Sequence, residues 1–190
     1  GEGNRTRAHK YKDVFSSVID SFREQWKNKN LPFYYVQLAP FADIAYKRRF
    51  KSELVAELRE AQRLTLKKNH VGMAIIMDVG DSLDIHPLPK KPVGDRLALL
   101  ALANDYGYDN LVFSGPLYED VSFKNNSALI SFKNAESGLF LKNNNLSQFE
   151  LAGSDKKFFS ADAKILDKKV LVKSNDVINP KYVRYGWKSF

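Results

Sequence analysis

The strongest constraint on the fold is the alternation, over residues 1–107, of amphipathic stripes with two short and almost uninterrupted apolar runs. Tyr11, Val14, Phe15, Val18, Ile19, Phe22 and Trp26 recur at three- and four-residue spacing and predict a helix over about residues 8–28. Leu31-Pro32 ends that period, and Phe33-Tyr34-Tyr35-Val36-Gln37-Leu38 follows as a run of strand formers closed by Pro40. A second helical stripe, Leu54, Leu58, Ala61 and Leu64, leads to a second run, Val71 to Met77. A third helix is predicted with Pro92 in its first turn, Val93, Leu97, Leu100 and Asn104 on its stripe, and Gly107 at its C-terminal cap.

Strands apolar on both faces and separated by helices indicate a parallel sheet covered by helices, with sites beyond the strands' carboxyl ends. Two strands and three helices are few for a complete sheet of that kind, so a piece of a longer protein is expected.

Past Gly107 the pattern changes. Leu111-Val112-Phe113, Val121-Ser122-Phe123, Ala128 to Phe132, Leu139-Phe140-Leu141, Phe149-Glu150-Leu151 and Lys164 to Lys173 are short strand-like runs. Asn125-Asn126, Asn143-Asn144-Asn145 and Gly153-Ser154-Asp155 separate them as turn formers. The expected organisation is an α/β part over 1–107 and a smaller antiparallel β module over 108–190, broken off at the aromatic stretch Tyr185 to Phe190.

Composition excludes several function classes. There is no cysteine, which removes disulfides, thiol catalysis and thiolate-bound zinc. The three histidines, His9, His70 and His86, lack paired ligand spacing, so neither a metal nor any other cofactor is expected. The net charge is +8, but Lys47-Arg48-Arg49, Lys67-Lys68, Lys90-Lys91, Lys156-Lys157 and Lys168-Lys169 are scattered rather than striped, and no nucleic-acid partner is expected. No stretch approaches the roughly 18 apolar residues of a membrane span, so no membrane partner is expected either.

The sharpest chemical signal is Met77-Asp78-Val79-Gly80-Asp81-Ser82-Leu83-Asp84-Ile85-His86-Pro87, immediately after the second apolar run. A histidine on a strand-end loop can take a proton from a serine, and a carboxylate on its other ring nitrogen holds the tautomer and stabilises the imidazolium. Asp84 is the first candidate for that carboxylate, Asp81 the second and Asp78 the third. A polar loop that merely collects aspartates around a surface histidine is the alternative. At the N-terminus, Gly1-Glu2-Gly3-Asn4 offers a glycine N–H and an Asn amide to an oxyanion, or else a flexible leader with Asn4 capping the first helix.

Together the Gly1-Glu2-Gly3-Asn4 block, Phe33 to Ala39, Leu58-Arg59-Glu60-Ala61-Gln62, Asp84-Ile85-His86-Pro87 and Arg96-Leu97-Ala98-Leu99 resemble, in order, the SGNH hydrolases, and among them the sialate O-acetylesterases and related carbohydrate acetylesterases. The resemblance implies serine-esterase removal of O-acetyl groups from sugars, sialic acids in particular. It implies His86 as the base and Gly1 with Asn4 in the oxyanion hole. It also implies export for use on glycans (secreted, periplasmic or lysosomal), and a nucleophilic serine in a Gly-x-Ser block of an N-terminal part of the enzyme upstream of this stretch. The isolated stretch is then an incomplete, inactive site.

Two departures qualify it. The superfamily's aspartate stands three residues before its histidine, where this chain has Leu83, so a Ser–His dyad stays open. Gly80-Asp81-Ser82-Leu83 spells the superfamily's serine signature, yet Ser82 shares one short loop with His86, whereas the signature belongs after the first strand with its histidine far downstream. The rival reading is a non-catalytic carbohydrate-binding or structural fragment supporting a partner chain, with Tyr182, Tyr185 and Trp187 as stacking surfaces.

Overall fold

The computed structural model describes residues 1–41, 53–141 and 146–190. The Lys47-Arg48-Arg49 cluster and the Asn143-Asn144-Asn145 turn lie outside them. The chain divides into two compact units, residues 1–113 with 188–190, and residues 114–187.

In the first unit the order is a 3-10 helix Glu2–Arg7, α1 Ala8–Gln25, β1 Phe33–Val36, α2 Glu53–Leu64, a 3-10 turn Thr65–Lys67, β2 Val71–Ala74 and α3 Lys91–Asp105. β1 and β2 pair in parallel, Phe33 opposite Val71 through Val36 opposite Ala74. Alternation along β1 sends its side chains to opposite faces. Phe33 and Tyr35 meet Phe15 of α1 edge-on, at ring separations of 6.3 and 4.9 Å, and the Tyr35 hydroxyl donates to the Gln62 carbonyl of α2 at 2.7 Å. Tyr34 points the other way and donates to Asp105 of α3 at 2.6 Å. Helices therefore cover both faces of the pair, as its apolar sequence requires.

Both strands are shorter than the apolar runs that contain them. Gln37 still donates to Ala74 at 2.9 Å, but beyond it the Gln62 side chain replaces a neighbouring strand, donating to Val36 and accepting from the Leu38 N–H at 2.9 Å. Ile75 and Ile76 leave the ladder as the chain turns into the His86 loop. β1 is also less enclosed than a buried strand, with Tyr35 its one fully buried residue.

The stripe on α1 divides in two. Tyr11 and Ile19 are buried and Phe15 half-buried, whereas Val14, Val18, Phe22 and Trp26 remain 40–63% exposed. α1 ends at Gln25, and Arg23 explains how that end is held. Its guanidinium donates to the carbonyls of Leu31, Asn69 and His70 at 2.8–3.1 Å, tying the helix to the entry of both strands. α3 has Pro92 in its first turn, and Gly107 follows its C-cap in the left-handed region at φ +75°, a conformation glycine adopts without a Cβ penalty.

The second unit is antiparallel throughout. It comprises β3 Leu117–Lys124, β4 Ser127–Lys133, β5 Phe149–Ala152, β6 Phe158–Leu166, β7 Lys169–Lys173 and β8 Tyr182–Tyr185, in sheet order β3-β4-β7-β6-β5-β8. Its core is Ala128, Ile130, Phe149, Leu151, Val170, Val172 and Val177. Asn125 at φ +54° makes the β3–β4 turn, as its residue type suggests. Several strand-like runs resolve otherwise. Leu111 to Phe113 and Leu139 to Leu141 are not strands, and Val112 and Phe140 stand 77% and 85% exposed. Lys164 to Lys173 is a hairpin rather than one strand, turning at Asp167 with φ +54°.

Candidate functional site

The candidate site starts from the loop that leaves β2. Its first turn is clamped from α3, where Arg96 donates to the Ile75 carbonyl at 2.5 Å and, through both terminal nitrogens, to the Asp78 carboxylate at 2.6 and 2.7 Å. This bidentate pairing raises the guanidinium above its ordinary pKa, against a smaller opposing effect of burial. Asp78, the third candidate for orienting His86, therefore serves to hold the loop's root.

The next segment is packed rather than bonded. A Cβ placed on Gly80 would lie 2.3 Å from the Pro40 ring and 3.0 Å from its carbonyl oxygen, so no larger side chain fits without moving the segment that follows β1. Gly80 of the apparent serine signature thus has a packing reason to be glycine.

Two aspartates then shape the backbone. Asp81 Oδ1 accepts from the Leu83 N–H and Asp84 Oδ1 from the His86 N–H, each at 2.7 Å, and both are Asx turns. His86 itself is exposed, beside a buried Pro87. The structure thus brings Asp84 and His86 together through the histidine's backbone. Among the described residues no carboxylate hydrogen-bonds its imidazole, and the second oxygen of Asp84 is uncommitted. Ser82 is half-buried in the same loop.

The N-terminal block is ordered as part of a 3-10 helix, not a flexible leader, and Asn4 lies inside that helix rather than capping α1. The Asn4 side-chain amide donates to the Gly1 carbonyl at 3.4 Å, its backbone N–H does so at 3.0 Å, and the Gly1 nitrogen donates to the Tyr11 hydroxyl at 3.2 Å. Gly1 and Asn4 form one cluster and Asp84 and His86 another, with no hydrogen bond joining the two among the described residues. His9 and His70 are exposed; His70 acts through its backbone, at φ +54°, accepting from Phe33 and Arg23.

Sequence reasoning missed the arginines that hold this region. Arg59 is 6% exposed, burial pulls its guanidinium down to about 10, and it donates to the Lys188 carbonyl and to Met77 Sδ. It therefore ties α2 both to the start of the His86 loop and to the chain's last residues. The available signal was its place within Leu58 to Gln62, next to the helix positions that read as buried.

No protein-family model matches the chain, and no curated protein does. A solved structure does. The chain is similar over 100% of its length to the crystal structure of a carbohydrate acetylesterase from Xanthomonas citri, with 39% sequence identity and a TM-score of 0.90. It spans 44% of that protein's chain. The whole chain, both units included, is thus folded like a part of a carbohydrate acetylesterase.

Proposed function

We propose that this chain is the base-bearing part of a serine esterase of the SGNH type that removes O-acetyl groups from carbohydrates, sialic acids among them. The observation that carries the reading is the full-length likeness to the Xanthomonas citri carbohydrate acetylesterase at 39% identity. The exposed His86 at a strand-end loop, clamped at its root by Arg96 and Asp78, supports it.

In this mechanism a serine from the part of the enzyme outside these residues attacks the acetyl carbonyl, and His86 takes its proton. The Asn4 amide turns from its long bond with the Gly1 carbonyl and, with the Gly1 N–H, donates to the oxyanion. His86 returns the proton to the departing sugar oxygen, leaving an acetyl-enzyme that water hydrolyses with His86 again as base. Asp84 keeps one oxygen on the His86 N–H and offers the other to the imidazole. The enzyme is exported (secreted, periplasmic or lysosomal) and acts there on glycans.

The test is acetate release by the whole enzyme from O-acetylated sialic acid and from O-acetylated neutral sugars. Cleavage of both, with kcat/KM at least about tenfold higher on the sialic acid, is the expected result, a difference of about 1.4 kcal/mol in transition-state binding. Cleavage of neutral sugar acetates alone removes the sialate assignment and keeps the esterase. No acetate from either removes both.

A further inference from the structure

The second unit carries a concave groove that the esterase reading leaves unused. It is about 360 Å³, at the lower end of the range for small-molecule sites, and lies between the β5–β6 turn and the loop from β7 to β8. Ser154, Asp155, Phe159, Asp176, Ile178 and Asn179 face it.

Its walls are fixed in advance. In the β7–β8 loop every third residue, Ser174, Val177 and Pro180, is buried, which presents Asp176, Ile178 and Asn179 outward. Ser174 donates to the Ser160 carbonyl at 2.9 Å and accepts from the Asp176 N–H at 3.3 Å, while Lys181 donates to the Ala152 carbonyl at 2.8 Å. Opposite, the turn is closed by the Lys156 N–H on the Gly153 carbonyl and by the Lys157 N–H on Asp155 Oδ1.

The lining chemistry selects a ligand class. Among the described residues nothing engages the side chains of Asp176 and Asn179, and one oxygen of Asp155 is free, so these carboxylate and amide groups are open to hydroxyls. Phe159, 41% exposed, and Ile178, 84% exposed, add an apolar surface for the C–H face of a ring. Two carboxylates and no cation face the groove, which disfavours an anionic sugar such as sialic acid. Among the described residues no group of three or more His, Cys, Asp or Glu is placed to hold a metal, which disfavours a cation.

The stacking surfaces expected from sequence each have a neighbour on the ring, although Tyr182 and Tyr185 stay 40% and 61% exposed. Lys156 sits over the Tyr182 ring at 5.5 Å, Tyr185 packs on Phe149 at 4.6 Å, and the Arg184 guanidinium lies 3.9 Å from the Phe158 ring and 5.9 Å from the Trp187 ring. We propose that the groove bounded by Phe159, Asp155, Asp176 and Asn179 is a second carbohydrate site, binding neutral sugar rings rather than sialic acid. Its readout is binding, so it stands or falls apart from the esterase reading.

The experiment is an NMR titration of the labelled whole enzyme with cellobiose, xylobiose, galactose and N-acetylneuraminic acid. The expected result is saturable shifts confined to residues 153–159 and 176–179 with a neutral sugar, at a Kd of about 0.1–10 mM, typical of a small polar ligand. Phe159→Ala and Asp176→Ala each raise that Kd at least about tenfold while the remaining spectrum is retained, and about 0.5 M NaCl changes it less than about twofold, since neutral contacts are not screened. The proposal is overturned by an absence of saturable shifts with all the neutral sugars, by unchanged binding in both variants, or by binding of only N-acetylneuraminic acid. A basic peptide that saturates the same residues while the neutral sugars do not, and is displaced by salt, would overturn it equally.

Discussion

Replacing His86 by alanine in the whole enzyme is expected to lower kcat for acetyl-ester hydrolysis by about 10⁴-fold or more with little change in KM, because the base acts on a proton in flight and not on the bound sugar. The fold should survive. His86 is exposed, and the bond that fixes its turn uses its backbone N–H, which alanine keeps. Loss of activity with an unchanged unfolding midpoint is thus a chemical effect. Asp84→Asn is the informative control, since the Asn carbonyl still accepts from the residue-86 N–H while the charge is gone. A fall of about 10²–10⁴-fold assigns Asp84 to the imidazole. Activity within about twofold leaves a Ser–His dyad.

The largest stability effect is expected in the other unit. Leu151 is fully buried in β5, paired across to Phe159 on one side and Val183 on the other, and sits in the cluster with Ile130, Val170 and Val172. Truncation to alanine removes its transfer free energy and leaves a void that two flanking strands limit in collapse, so denaturant unfolding should show a loss of about 2–5 kcal/mol. Phe140→Ala, at a position 85% exposed, should stay within about 0.5 kcal/mol. A loss below about 1 kcal/mol for Leu151→Ala would contradict the core described above.

The helix–strand alternation was legible because period and length agree at each element, and the parallel pair with helices on both faces follows from it. Where reading and structure part, the cause is local. Val14, Val18, Phe22 and Trp26 share the α1 periodicity with Tyr11 and Ile19, and periodicity alone cannot say which side of a wide stripe is covered. Ile75 and Ile76 are as apolar as the strand before them, but Arg96 captures the Ile75 carbonyl and ends the ladder there. The β6–β7 turn was hidden because Asp167 takes a positive φ without a glycine or asparagine to mark it.

The candidate site was legible in part for the same reason. A strand followed by a polar loop locates His86, whereas the bonds that Asp78, Asp81 and Asp84 make are side-chain-to-backbone or cross-element contacts that spacing does not reveal. The roles of Arg59 and Arg96 carry no signal in the spacing, because the carbonyls and the thioether they reach belong to other elements.

The central claim, that these residues supply the base to a serine held elsewhere in the enzyme, is tested most directly by labelling the whole enzyme with a fluorophosphonate and mapping the modified residue by peptide mass spectrometry. The account predicts a label on a serine outside these residues, and labelling at least about a hundredfold slower in the His86→Ala enzyme, in which that serine has lost its base. A label on Ser82, or labelling at an undiminished rate without His86, would contradict it.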